Sequence, residues 1–387
     1  MYATRPLEDS DHVSTTWKDE LSALDGKVAD LEKKFGYLRA IDISLDIIVG
    51  ATEYDKTSLR DPIFKALFPN LVDYYQFFSD FGVIEMQNSL GCLLLKNSDD
   101  RAGALKYLKM AVVNGHKHAH HNYATALSEA GFSEDAFFYF QIAADYGSIV
   151  AQYNCATILV NGIGVARDTK KAFKYFKLAA ENGFKEAQFS CALMLDRGEG
   201  VVQDYTEALI YFKRAADQGH RDAQFICGEM LHKRKGVVQD YTEAFKYYKM
   251  AADQGHVRAQ YECGMFLKKQ FLGTDDAVMY CKMAADQGHV EAQYECGMLL
   301  YSGEGIAVNK VEAFKYFEMA ANQHHAIAQY NCGLLLFEGE GVPESKLEAT
   351  VYFIRAARQG NLDAINKMNQ LMPDGSWDMP RDQALNQ

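Results

Sequence analysis

The stretch MAADQGHVRAQYECGMFL at residues 250–267 is followed 33 residues later by MAADQGHVEAQYECGMLL at residues 283–300. Two copies so close, matching down to the cysteine, mark one structural unit written more than once. Aligned on its small-residue pair, the register extends through Ala143-Ala144, Ala179-Ala180, Ala215-Ala216, Ala251-Ala252, Ala284-Ala285, Ala320-Ala321 and Ala356-Ala357, at spacings of 36, 36, 36, 33, 36 and 36 residues. A period in this range is that of a solenoid. Its unit is a helical hairpin too small to bury its own apolar face, so it stacks on its neighbours. Weaker copies reach upstream: KMAVVNGHKHAHHNYA sets Ala111 32 residues before Ala143, and FFSDFGVIEMQNSLGCLLL carries Gly82 and Gly91. About eight hairpins are expected between Gly82 and Gly360, closed by NLDAINKMNQLM as a half-repeat with a polar outer face.

Within a unit the two helices are readable. In HVEAQYECGMLLYSG, Ala292, Cys296, Leu299 and Leu300 share one face at a 3.6-residue period. In NKVEAFKYFEMAA, Ala313, Phe314, Phe317 and Ala320 form a stripe, with Tyr316 and Ala321 at its margins. The connections NGIGVARD, DRGEGVVQD, SGEGIAVN and EGEGVPES place a glycine to end the first helix. They also place Asp, Asn or Ser to cap the second.

Composition narrows the function. The 387 residues are 48% hydrophobic, with 23 Tyr, 23 Phe and only 6 Pro, which suits a folded, largely helical chain. Lys plus Arg number 40 against 52 Asp plus Glu, a formal charge of −12, so nothing favours nucleic acid or anionic membrane as a partner. MYATRPLEDSDHVSTTW has no apolar run fit for a signal sequence, and no stretch reaches a membrane-spanning length. A cytoplasmic protein without membrane insertion is expected.

The motif AA-x-x-G-x-x-x-A-Q-x-x-(C/L)-G, then G-x-G-V, then A-x-x-Y-F-x-x-AA, resembles the Sel-one-like repeat (SLR) family, relatives of the tetratricopeptide repeat. The resemblance covers about three quarters of the chain. It implies an all-α fold, a right-handed α/α superhelical solenoid of SLR/TPR-like hairpins. It also implies a non-enzymatic adaptor or scaffold that binds partner proteins. The alternative is a structural building block of a larger intracellular assembly, for example a cytoskeletal one. Arg234, in place of a turn glycine, and the shortened KKQFLGTDD depart from the pattern and lead to an expected local change in curvature.

No phosphate loop, nucleotide fingerprint or catalytic triad stands out, so no catalytic residue and no cofactor is expected. Six of the eight cysteines, Cys155, Cys191, Cys227, Cys263, Cys296 and Cys332, share one repeat position and read as buried reduced thiols. Some secreted members of the family pair two cysteines within a repeat, a pattern missing here. Cys92 and Cys281 read as core fillers. His116 and His120 in GHKHAHH have a metal-compatible i, i+4 spacing, but His220, His256 and His289 recur at the position of His116 and read as hydrated helix ends, so no metal is expected.

Partner-binding candidates come from the first helices. Two residues after the AQ alanine stands an aromatic ring: Tyr153, Phe189, Phe225, Tyr261, Tyr294 and Tyr330. That offset is about 200° round a helix, pointing the ring away from the hairpin's own core. Four residues further lies a variable row, Thr157, Leu193, Glu229, Met265, Met298 and Leu334. If first helices line the concave side, as the resemblance implies, rings and row form a partner groove. The competing reading is that the rings only pack repeat on repeat.

Outside the repeats, residues 1–16 read as a flexible N-terminus and 17–49 as an amphipathic or coiled-coil helix. Trp17, Leu21, Leu24, Val28, Leu31, Phe35 and Leu38 form a short heptad seam there. It fits a homodimer contact and a folded-back cap equally. Residues 50–82 read as short capping helices, 83–360 as the solenoid, 361–372 as a capping helix and 373–387 as a flexible tail.

Overall fold

A computed structural model describes residues 71–378 apart from 81, 97–99, 234–235, 271–273 and 304–305. The heptad seam, the dimer contact through residues 17–49, Arg234 and the middle of KKQFLGTDD lie outside the described residues. The described chain is all-α, without strands. It divides into two compact units whose boundary, at residues 179 and 180, falls inside one helix.

The first unit opens with α1 (Leu71–Asp80). Three hairpins follow: α2 (Ile84–Lys96) with α3 (Arg101–Val113), α4 (Ala119–Glu129) with α5 (Ser133–Asp145), and α6 (Ile149–Asn161) with α7 (Thr169–Glu181). The second unit holds five more: α8 (Lys185–Arg197) with α9 (Tyr205–Asp217), α10 (Arg221–Lys233) with α11 (Tyr241–Asp253), α12 (Val257–Gln270) with α13 (Thr274–Asp286), α14 (Val290–Ser302) with α15 (Lys310–Asn322), and α16 (Ala326–Glu338) with α17 (Lys346–Arg358). It ends in α18 (Leu362–Leu371) and a 3-10 turn, Ser376–Asp378. Within each unit, consecutive helices pack on each other.

The helix ends obey the sequence punctuation. Gly162, Gly198, Gly303 and Gly339 terminate first helices in the left-handed conformation, at φ of 68°, 68°, 70° and 68°. At the following helix starts, Asp204 Oδ1 accepts the Thr206 and Glu207 amides, each at 2.9 Å, and Asn309 Oδ1 accepts that of Glu312 at 3.1 Å.

Packing follows the first-helix reading: Ala292, Cys296, Leu299 and Leu300 are buried. The second-helix stripe is rotated from its expected centre, with Tyr316 and Ala321 fully in the core and Phe314 only half-buried. Tyr316 can enter because its hydroxyl donates to Asp286 of the preceding repeat at 3.3 Å, whereas Phe314 leans toward the next hairpin's cluster. Close approach within a hairpin is set by Gly297, where an added Cβ would stand 2.6 Å from the Phe317 ring.

A buried glutamine ladder joins repeats in the second unit. Gln293 Nε2 donates to the Ala285 carbonyl at 3.1 Å while its Oε1 accepts from Gln323 at 2.9 Å. Gln224 does the same with Ala216 and Gln254, and Gln329 with Ala321 and Gln359. Each buried amide is thereby satisfied on both sides, which avoids the cost of an unpaired polar group.

The tail departs from the expectation of looseness at its start. Trp377 packs on the cluster around Phe353 and Met368, and its Nε1 donates to Asn369 at 3.1 Å. A large ring with a reachable acceptor outweighs the turn-forming residues around it.

All eight cysteines are free thiols, and all but Cys92 are buried. Burial pushes the Cys155, Cys263 and Cys281 thiols up to about 12, so their thiolate populations are minute at neutral pH. In native protein treated with iodoacetamide, mass spectrometry is expected to find Cys92 alkylated first and the other seven only on unfolding. A second expectation concerns His324, which holds a φ of 65° where other repeats place glycine. His324→Gly should raise stability by about 0.5–1 kcal/mol, read from the denaturation midpoint, because a left-handed non-glycine residue is strained by about 1–2 kcal/mol.

Candidate partner-docking site

Each candidate ring is positioned by a short first helix whose opposite face is fixed by alanine and cysteine. Five of the six rings do not point away from their own hairpins. Tyr153 lies 5.5 Å from Phe176 between centroids, Phe189 5.8 Å from Phe212, Phe225 5.9 Å from Tyr248, Tyr294 6.1 Å from Phe317 and Tyr330 5.7 Å from Phe353. In each pair the second ring belongs to the second helix of the same hairpin. A 200° offset puts Cβ off the core axis, but a long planar side chain bends back along the helix surface.

The other face of four rings is covered by the next repeat's histidine. Phe189 stacks on His220 at 4.2 Å and 20°, Phe225 on His256 at 4.3 Å and 21°, Tyr261 on His289 at 4.8 Å and 22°, and Tyr294 on His325 at 4.7 Å and 24°. These histidines are therefore not merely hydrated helix ends. Each caps the helix it precedes, its Nδ1 accepting the amide of Ala223, Ala259, Ala292 or Ala328 at 3.2, 3.1, 3.2 and 3.1 Å. The acceptor role requires a neutral ring carrying its proton on Nε2. Sequence reading had both columns, ring and histidine, without the contact between them.

The variable row lies half-buried: Thr157 in the first unit, and Leu193, Glu229, Met265, Met298 and Leu334 in the second. Thr157 bonds its own helix through the Tyr153 carbonyl at 3.0 Å. Glu229 is held by Lys233 at 2.6 Å and Arg258 at 3.2 Å, and Arg258 also covers Phe225 at 4.8 Å. Met298 receives the Asn331 amide at 3.6 Å, and Leu334 packs on the cluster of Phe353. The row thus offers apolar groups around one charged, braced carboxylate.

Two histidines of the cluster at the start of α4, His116 and His120, make local contacts. His116 Nδ1 accepts the Ala119 amide at 3.1 Å, and the His120 ring lies 3.2 Å from the Lys117 carbonyl and 5.4 Å from the Tyr146 ring. Among the described residues no three His, Cys, Asp or Glu groups are placed to hold a metal ion.

The Sel1 repeat profile matches residues 133–148, 149–184, 185–220, 221–256, 257–289, 290–325 and 326–361, more than half of the chain. The chain belongs to the Sel1 repeat family. Two solved structures are similar to this Sel1 repeat chain. One is a protective antigen of uropathogenic Escherichia coli strains with an SLR fold, 23% identical, covering 93% of this chain and 77% of its own at a TM-score of 0.64. The other is a Sel1 repeat protein from Oxalobacter formigenes, 26% identical, covering 78% and 90% at a TM-score of 0.56. No curated protein sequence matches the chain. No helix among the described residues is long and apolar enough to cross a membrane.

The capping histidines give these Sel1 repeats a pH dependence. Burial lowers the pKa of His220, His256 and His325 below the ordinary value of 6.5. The unfolded chain then binds protons that the folded chain refuses. Their contribution is whole above pH about 6.5 and is lost as pH falls through the lowered folded values. Protonation also removes the Nδ1 acceptor and sets a positive charge at the positive end of a helix. Melting temperature should fall between pH 7.5 and 5.5, and by less in a His220→Asn/His256→Asn/His325→Asn variant. Asn361 shows that asparagine caps this position, its Oδ1 accepting the Ala364 amide at 2.8 Å.

Proposed function

We propose that the chain is a non-enzymatic adaptor that holds partner proteins on its first-helix surface, with Leu193, Met265, Met298 and Leu334 supplying contact and Glu229 supplying charge discrimination. The observation that supports this reading is a division of labour along one helix. Ala, Gln and Cys recur in the second unit's first helices and are buried. The ring four residues before the row is faced by its own hairpin and, in four repeats, by a histidine. The row itself takes four identities, Thr, Leu, Glu and Met, over six copies while remaining half-exposed. Framework positions answer to packing. A position that packing leaves free to vary is where selectivity for a partner is built.

Phe189, Phe225, Tyr261 and Tyr294 enter this surface chiefly as its rigid base, each with one face taken by a stacked histidine. The apolar row around a braced carboxylate suits an extended or helical segment with aliphatic or aromatic anchors and a basic residue opposite Glu229. A partner of this kind needs no cofactor and no membrane.

Two variants separate docking from stability. Met265→Glu/Met298→Glu alters the row alone and should lower the melting temperature by less than the ring variant below, since both side chains are half-exposed and only Met298 touches the core cluster around Phe317. In quantitative mass spectrometry of proteins captured from a lysate, it should lose a discrete subset. Tyr261→Ala/Tyr294→Ala should melt well below the parent, because each ring is sandwiched between repeats. Equal capture by parent and row variant would end the proposal for this surface.

A further inference from the structure

A second surface stands apart from the first-helix row, at the start of α7. The segment VARDTKKAFKYFK at residues 165–177 carries Arg167, Lys170, Lys171, Lys174 and Lys177 against the single acid Asp168, in a chain whose formal charge is −12. The other repeats show how unusual this is. At the third position of the second helix stand Asp135, Glu207, Glu243, Asp276, Glu312 and Glu348, in α5, α9, α11, α13, α15 and α17. At the same position α7 has Lys171. An acid in a first helical turn is favoured by about 0.3–1 kcal/mol through the helix dipole, and a lysine is disfavoured by the same physics.

Elsewhere the acid is used. Glu243 takes Lys213 of the preceding repeat at 2.7 Å, and Glu312 takes Lys282 at 2.6 Å. In the first unit the residue at the lysine's place is Gln141, which donates to the Tyr175 hydroxyl at 3.4 Å instead. Among the described residues no carboxylate makes an ion pair with Lys170, Lys171 or Lys174. The Lys171 ammonium lies 5.9 Å from the Phe137 ring centroid. The helix end itself is spoken for, since Asp168 Oδ1 accepts the Lys171 amide at 2.9 Å. What remains to recognise a ligand is side-chain charge.

That charge borders a cavity. Phe137, Leu159 and Val165 wall a pocket of about 530 Å³ whose rim is Arg167, Asp168, Thr169, Lys170 and Lys171. A cationic rim over a floor that is open at the half-buried Val165 matches carboxylates beside an apolar side chain. A nucleic acid would meet a basic track confined to one helix start, too short to follow a phosphate backbone.

We propose that this pocket docks an acidic peptide segment of a partner protein. Its carboxylates pair with Lys170 and Lys171, and an aliphatic or aromatic side chain rests on the half-buried Val165. The inference shares with the preceding proposal only the class of partner, and the two sites fail or stand separately.

The test is fluorescence anisotropy of the full chain with a dye-labelled short peptide of Asp and Glu around one central Phe. Saturable binding that weakens with salt is expected. Lys170→Glu/Lys171→Glu should weaken it at least tenfold while melting at or above the parent temperature, because it restores the first-turn acid of the other repeats. Lys246→Glu/Lys315→Glu, which reverses exposed lysines elsewhere, and the row variant Met265→Glu/Met298→Glu should bind as the parent does. Replacing the peptide's Phe by Gly should weaken binding. No binding by the parent, or unchanged binding after reversal at 170 and 171, overturns the proposal. So does displacement of the peptide by a single-stranded oligonucleotide at lower concentration than unlabelled peptide.

Discussion

A helix of 13 residues spans only about 20 Å, and helices of that length are marginal alone in water. Burial against a neighbour is therefore the condition for any helix here to exist, and the sequence meets it with residues that let backbones approach. Ala292, Cys296 and Gly297 make one side of α14 nearly flat, and the Phe317 ring fills the remaining space. Every other feature of the molecule is arranged around that contact.

Close stacking creates a problem for polar groups, and the chain solves it with residues that serve two repeats at once. Gln293 donates to a carbonyl of the preceding second helix and gives its oxygen to Gln323 at the end of its own hairpin. His325 caps its own helix with Nδ1 and lays its ring on Tyr294 of the repeat before. Each such residue exists in its native geometry only when both neighbours are folded. Stability in repeat arrays is then a sum of unit and nearest-neighbour terms, with much of it in the neighbour terms.

How much of this is legible in the letters depends on range. The period, the glycine terminators and the alanine-cysteine face are local, within one turn or one helix, and they can be read directly. The histidine-ring stack joins residues 31 apart, as in Phe189 and His220, and needs the repeat-to-repeat offset before it can be seen. The same lack made the rings look outward and centred the second-helix stripe on Phe314 instead of Tyr316. Tyr316 belongs inside because of a carboxylate one repeat away, which periodicity within α15 does not register. Trp377 escaped for the opposite reason: turn-forming neighbours set the local expectation, and a single long-range contact decided the outcome. The candidate docking row was legible as a position, while the bracing of Glu229 by Arg258 was not.

Repeats also supply an internal standard that a single-copy fold lacks. When six second helices carry an acid in the third position, α3 carries Gly103 and α7 carries Lys171, the lysine cannot be assigned to the demands of the fold, because the same fold is built with the opposite charge six times. The departure works against the helix dipole, so packing does not explain it either. In a nearly additive array, one hairpin can carry such a local penalty without unravelling its neighbours. That tolerance is what lets a repeat protein place distinct recognition chemistry on one unit while the alanine, glutamine and cysteine framework continues unchanged beneath it.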